Sequence, residues 1–228
     1  GDDASMKTET LSAAHAEEQP LHHQFEDVEQ QNESYIVGMW VFLVTEIMFF
    51  GGLFLAYVLY RWRYPEAWYE AHTKLDIPLG TTNTVVLLTS SLTMALAVHF
   101  AQLRNKRLQL AMLGATIGLA CVFLVIKAFE WSAKFQHGLV PGPNFFWEGL
   151  VPAPQAQLFY SLYFGMTGLH AVHVIIGILV IGVLALLTAL DHPLVKNDFI
   201  PTELVGLYWH FVDIVWIFLF PLFYLIPK

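Results

Sequence analysis

Apolar positions gather into five long runs, about 36–60, 84–103, 108–129, 158–189 and 204–225, separated by polar or Pro/Gly-bearing segments. At about 1.5 Å of rise per residue, such runs cross a hydrocarbon core of about 30 Å as helices. The pattern predicts an all-α polytopic membrane protein, a bundle of five transmembrane helices. An odd number of crossings puts the chain ends on opposite sides. The first helix closes at Arg61-Trp62-Arg63-Tyr64-Pro65, where aromatics and cations suit the headgroup zone and Pro65 stops the helix. Thr89, Ser90, Ser91 and Thr93 on the second helix, and Gly114 and Gly118 on the third, are small residues suited to close helix contact. Residues 131–156 form a loop whose Trp131, Phe145, Phe146 and Trp147 belong at a membrane interface. The fourth run exceeds what a bilayer needs and is expected to tilt or project.

Polar positions inside the runs carry the candidate chemistry. Glu46 lies near the middle of the first helix. A charged group at mid-bilayer costs about 2.5 to 3.5 kcal/mol, so Glu46 must face protein, bound lipid headgroup or water, and its helix needs neighbours. The other embedded ionisable residues come as three pairs spaced i,i+3: Lys127 and Glu130, His170 and His173, His210 and Asp213. That spacing puts each pair on one helix face, directed inward. Glu46 and Asp213 each sit about 15 Å deep by helix rise and could share a polar layer. Lys127 and Glu130 read as a structural ion pair near the far interface.

Composition agrees with the pattern. The chain is 56% hydrophobic and 13% charged, against about 25% charged in an average soluble domain. The net charge of −8 comes from acids crowded into the first 35 residues, an acidic tail expected to be disordered and lacking the apolar stretch of a signal peptide. His15, His22 and His23 in this tail read as solvated spacers, and Met6 is a candidate natural start. No basic patch remains to track phosphates, which argues against a nucleic-acid partner. The single cysteine, Cys121, offers neither a disulfide framework nor a thiolate cluster. A metal or haem centre built from Glu46, His170, His173, His210 and Asp213 is opposed by spacing, because neither the Glu-x-x-His repeat of a di-iron bundle nor a bis-histidine haem pattern is present. Hydrogen bonding across helices, or holding a lipid headgroup, suits these groups better. Lys and Arg near the helix ends number four on one side and five on the other, which leaves orientation open.

Four stretches carry a resemblance: Trp40 to Gly52 (WVFLVTEIMFFGG), Asn83 to Ser90 (NTVVLLTS), Gly168 to Gly177 (GLHAVHVIIG) and Tyr208 to Trp216 (YWHFVDIVW). In this order, on four of the five helices, they resemble subunit III of the haem-copper cytochrome c oxidases, in its five-helix bacterial form. The resemblance implies a subunit with no catalytic residue, haem or copper of its own, part of an oxygen-reducing, proton-translocating complex of the respiratory chain. It implies packing on subunit I, with haem and copper in partner subunits I and II. It also implies bound membrane phospholipid, support of proton uptake and sustained turnover, and room for a respiratory supercomplex. By motif, Glu46 matches the family's intramembrane glutamate, and His170, His173, His210 and Asp213 match its polar residues on the last two helices. The implied site is the bacterial inner membrane, with the N-terminus in the cytoplasm and the C-terminus outside. Subunit III of a quinol oxidase, or the accessory protein of nitric oxide reductase, shares the five-helix plan. A free-standing proton-coupled transporter would also embed Glu46 and Asp213, but it would more often show an internal repeat or an interrupted helix, and neither is present.

Overall fold

A computed structural model describes residues 28–196 and 198–226, and these form only helices and their connections. The helices are α1 (Val28–Arg63), α2 (Pro65–His72), α3 (Ile77–Gln102), α4 (Lys106–Gln136), α5 (Ala153–Ala189), α6 (Pro193–Lys196) and α7 (Ile200–Tyr224). Five of them, α1, α3, α4, α5 and α7, are long and apolar enough to cross a membrane. Local chemistry marks their ends. The Asp76 carboxylate accepts a 3.1 Å bond from the Leu79 amide, and the Asn105 side chain accepts one of 3.3 Å from Leu108, so α3 and α4 each start on a side-chain cap. Arg104, at φ 54°, reverses the chain between them. Just before α7 the Asp198 carboxylate accepts a 2.9 Å bond from the Ile200 amide, and partial burial in this loop pushes its carboxyl above the usual carboxylate range.

The expected boundaries shift outward wherever polar turns continue a helix beyond the lipid. Residues 28–35, expected in the disordered tail, are the first two turns of α1; the tail histidines lie outside the described residues. Helix α3 starts at Ile77 rather than Thr84, because Pro78 falls in its first turn, where a missing N–H costs nothing. Helix α4 runs on to Gln136 through Lys134, and α5 begins at Ala153 rather than Leu158. Pro65 both ends α1 and begins α2, a short helix in what reads as a polar loop. Helix α2 forms because Ala67, Trp68 and Ala71 bury one face, with Trp68 edge-on to Tyr57 and Phe159.

Helix α7 is the centre of the bundle. Half of its apolar stretch is buried, against 17% for α1, and it packs along α3 and α5 and touches α1. Two glycines permit this approach. A Cβ on Gly177 of α5 would lie 2.6 Å from the Trp209 ring, and one on Gly80 of α3 would lie 2.9 Å from the rings of Phe220 and Tyr224. Bonds between helices fix the register. Trp209 donates to Ser90 (3.2 Å), Trp216 to Thr84 (3.1 Å), and the Thr93 and Thr116 hydroxyls meet at 2.8 Å. Gly114 and Gly118, in contrast, face open space, and no backbone among the described residues fills their groove.

On the side where α2 lies, Glu70 holds the long loop in place. Its two carboxylate oxygens accept from the amides of Leu150 (2.7 Å) and Val151 (3.0 Å). Glu70→Ala is expected to cost about 1–3 kcal/mol by leaving both donors unpaired. Hydrogen exchange should speed up at residues 145–152 while the bundle core stays protected; unchanged exchange there would show that the staple contributes nothing.

Candidate functional site

The embedded polar residues fall into two connected clusters and an unpaired layer between them. The first cluster joins α1 to α5. Glu46 Oε2 and His173 Nε2 are 3.1 Å apart, with both side chains largely buried. The other ring nitrogen of His173, Nδ1, lies 2.9 Å from the Leu169 carbonyl, which can only accept, so Nδ1 carries a proton. The contact with Glu46 then holds one further proton, shared as imidazolium and carboxylate or as imidazole and carboxylic acid. Either form is net neutral, which is how a carboxyl group becomes tolerable at this depth. Phe50 packs on the imidazole at 5.2 Å between centroids, and Tyr208 donates to the His173 carbonyl at 3.1 Å, so α7 holds the histidine backbone.

The second cluster joins α4, α5 and α7. Lys127, 4% exposed, donates to Glu130 Oε2 (2.9 Å), Tyr224 (2.7 Å) and Tyr163 (3.4 Å). Glu130 Oε1 accepts from Tyr163 (2.8 Å) and Tyr224 (2.5 Å). Each ammonium proton has an acceptor and each carboxylate oxygen has a donor. The Lys127 ammonium also sits 4.8 Å from the centroid of Trp216, a cation–π contact. Closure of this kind is what keeps a buried ion pair from being a net cost.

Between the clusters lie three buried side chains with no hydrogen-bond partner among the described residues: Asn83 on α3, His170 on α5 and Asp213 on α7. His170 packs edge-on to Phe123 and beside Trp216, at 5.6 and 5.2 Å. Ser91 is the polar group beside Asp213, and its hydroxyl lies 2.8 Å from His210 Nδ1. The layer expected to join Glu46 to Asp213 therefore takes another form: Glu46 meets His173, and Asp213 stands near Ser91. His170 and His173 also part company, because α5 has neighbours on both sides. His173 meets α1 while His170 lies among α4 and α7.

Tyr163, Tyr224 and Trp216 belong to the second cluster, Ser91 and Asn83 to the layer between, and spacing alone does not single them out. Tyr163 and Tyr224 meet Glu130 from 33 and 94 residues away. Among the described residues, no three His, Cys, Asp or Glu side chains are placed to hold one metal ion.

Comparison with known proteins adds to this geometry. The family model described as Cytochrome c oxidase subunit III matches residues 21–147 and 154–227. Cytochrome c oxidase subunit 3 of Corynebacterium diphtheriae is 34% identical over 197 residues, covering 83% of this chain and 87% of that protein. A probable quinol oxidase subunit 3 of Staphylococcus saprophyticus is 30% identical, covering 83% and 88%. The heme-copper oxidase subunit I+III of Aeropyrum pernix is 33% identical over 196 residues; the match takes in 83% of this chain but only 22% of that longer protein.

Proposed function

We propose, from the premise that the chain belongs to the cytochrome c oxidase subunit III family, that it packs on a catalytic subunit I and supports proton uptake and sustained turnover there. It is a multi-pass membrane component of a haem-copper oxidase complex. The observation that carries the proposed partner is the Aeropyrum pernix relative, whose printed name joins subunits I and III in one protein. Haem and copper would then reside in subunits I and II, phospholipid would fill grooves of the bundle, and the N-terminus would face the bacterial cytoplasm. Within the chain, the Glu46–His173 pair offers a net-neutral site that keeps one proton in the bilayer, and that chemistry suits proton support without electron transfer. The pair Lys127–Glu130, closed by two tyrosines, serves as a structural knot.

Purification through an affinity tag in mild detergent should bring down a haem-bearing and a copper-bearing partner, read by mass spectrometry and an absorption spectrum. A chain recovered alone from native lipid, without haem, would overturn the assignment and favour a transporter. Glu46→Gln retains the shape and removes the ionisable group. The complex should assemble with its normal haem spectrum and lose activity faster during turnover; full assembly with loss of haem would refute a supporting role. A quinol-oxidising complex is the second reading, favoured by the Staphylococcus saprophyticus relative, and the haem types of the purified complex would decide it.

A further inference from the structure

The Lys127–Glu130 cluster contains more than an ion pair needs. Tyr163 and Tyr224 both donate to one oxygen, Glu130 Oε1, at 2.8 and 2.5 Å, and their hydroxyl oxygens lie 3.2 Å apart. Among the described residues the other buried tyrosines, Tyr57, Tyr160 and Tyr208, donate to the backbone carbonyls of Leu222, Ala71 and His173. The difference is chemical. A carboxylate takes up a proton, and a peptide carbonyl does not. A phenol gives up an electron readily only when its proton leaves at the same time, because the radical cation left otherwise is a strong acid. Tyr163 and Tyr224, each with a base in hydrogen-bond reach, are the buried tyrosines placed for oxidation.

Aromatic rings connect this pair to the membrane surface. The centroids of Tyr163 and Tyr224 are 6.3 Å apart, Tyr160 is 6.5 Å from Tyr163, and Trp147 is 6.2 Å from Tyr160. Trp147 is half-buried in the loop after α4. Its indole can lose an electron without losing a proton, and Tyr160 bridges it to Tyr163 by ring contact. Lys127 sets the threshold. Its ammonium lies 2.7 Å from the Tyr224 oxygen and 3.4 Å from that of Tyr163. A cation in a low-dielectric interior opposes the loss of an electron beside it, so the phenols yield one only to a strong oxidant.

We propose that Tyr163, Tyr224 and Glu130 form a proton-coupled one-electron donor that quenches oxygen-centred radicals, with Tyr160 and Trp147 as its connection to reductants in water. The phenol passes one electron to the radical, which becomes an oxyanion, and passes its proton to Glu130 Oε1. A neutral tyrosyl and a carboxylic acid remain. A one-electron reductant of the thiolate or ascorbate class at the membrane surface returns the electron through Trp147 and Tyr160, and Glu130 returns the proton. The assignment rests on the role proposed above only for the source of the radical, an oxygen-reducing complex.

The complex purified through this chain would be treated with hydrogen peroxide in one sample and with photogenerated tris(bipyridine)ruthenium(III), an oxidant that needs no haem, in another. A nitroso spin trap marks the radical for mass spectrometry, and freeze-quenched samples without the trap give its electron paramagnetic resonance signal. Both oxidants should place a tyrosyl at Tyr163 or Tyr224. Glu130→Gln should lower its yield about a hundredfold, the contribution of a positioned base. If that variant does not assemble, Lys127→Met with Glu130→Leu removes the base together with its countercharge and gives the same reading. Trp147→Phe leaves the cluster intact and should slow the decay of the tyrosyl signal under ascorbate about tenfold. A yield unchanged without the carboxylate would overturn the proton-coupled donor, and adducts confined to exposed tyrosines such as Tyr60 would overturn the site. Labelling by the ruthenium oxidant with none by peroxide would overturn the assignment to oxygen-centred radicals. The haem spectrum of the same sample reports separately on the oxidase reading.

Discussion

Lys127→Met should destabilise the bundle by about 3–5 kcal/mol, the cost of leaving a buried carboxylate without its countercharge. Glu130 is 2% exposed, and without Lys127 it would hold only two phenol hydroxyls. The charge is desolvated by the same packing that makes the closed cluster tight. The measurement is the midpoint of thermal or detergent-induced unfolding of the purified complex, together with the amount of chain in the membrane. The double variant Lys127→Met, Glu130→Leu removes both charges and should recover much of the loss. A double variant as unstable as the single would mean that the cluster acts through shape and not through charge.

Trp216→Ala should cost a similar amount, about 3–5 kcal/mol, by a different route. This ring is fully buried where four helices meet. It donates to Thr84 of α3, packs on Phe123 of α4 at 4.9 Å and on His170 of α5 at 5.2 Å, and receives the Lys127 ammonium on its face. Removing it opens a void beside groups already short of hydrogen-bond partners. Trp216→Phe keeps most of the packing and gives up the Thr84 bond, so it should lose about 1–2 kcal/mol. Unfolding midpoints of the two variants separate the terms; equal losses would place the whole effect in the indole N–H.

The five spans were legible because lipid imposes one simple demand, about twenty apolar residues in a row, which needs no knowledge of neighbours. Glu46 was legible for the same reason, since a carboxylate in such a run requires a partner. That the partner is His173 was not. It depends on how α5 is rotated against α1, and that rotation is set by contacts such as Phe50 on the imidazole and Gly177 beneath Trp209. The spacing of His170 and His173 suggested one shared face. Three residues leave about 60° between side chains, though, and on a helix with neighbours all round this is enough to send them to different partners. Helix α2 was hidden because Pro65 reads first as a stop, and only the burial of Trp68 shows it as a start. Tyr163 and Tyr224 were hidden because a tyrosine in an apolar run has an ordinary place there, and only the fold brings both to Glu130.

The Glu46–His173 contact spans 127 residues of sequence, and that distance has a meaning in time. A ribosome adding about 5–20 residues per second makes His173 about 6–25 s after Glu46. For that interval α1, the helix with the smallest buried share of its apolar stretch, holds its carboxyl group without an imidazole to meet it. Insertion of α1 therefore carries the lone-acid cost, about 2.5 to 3.5 kcal/mol, until α5 arrives and α7 locks the histidine backbone behind it. Biogenesis of this protein has a built-in waiting step, and α7, made after both partners, is the helix that ends it.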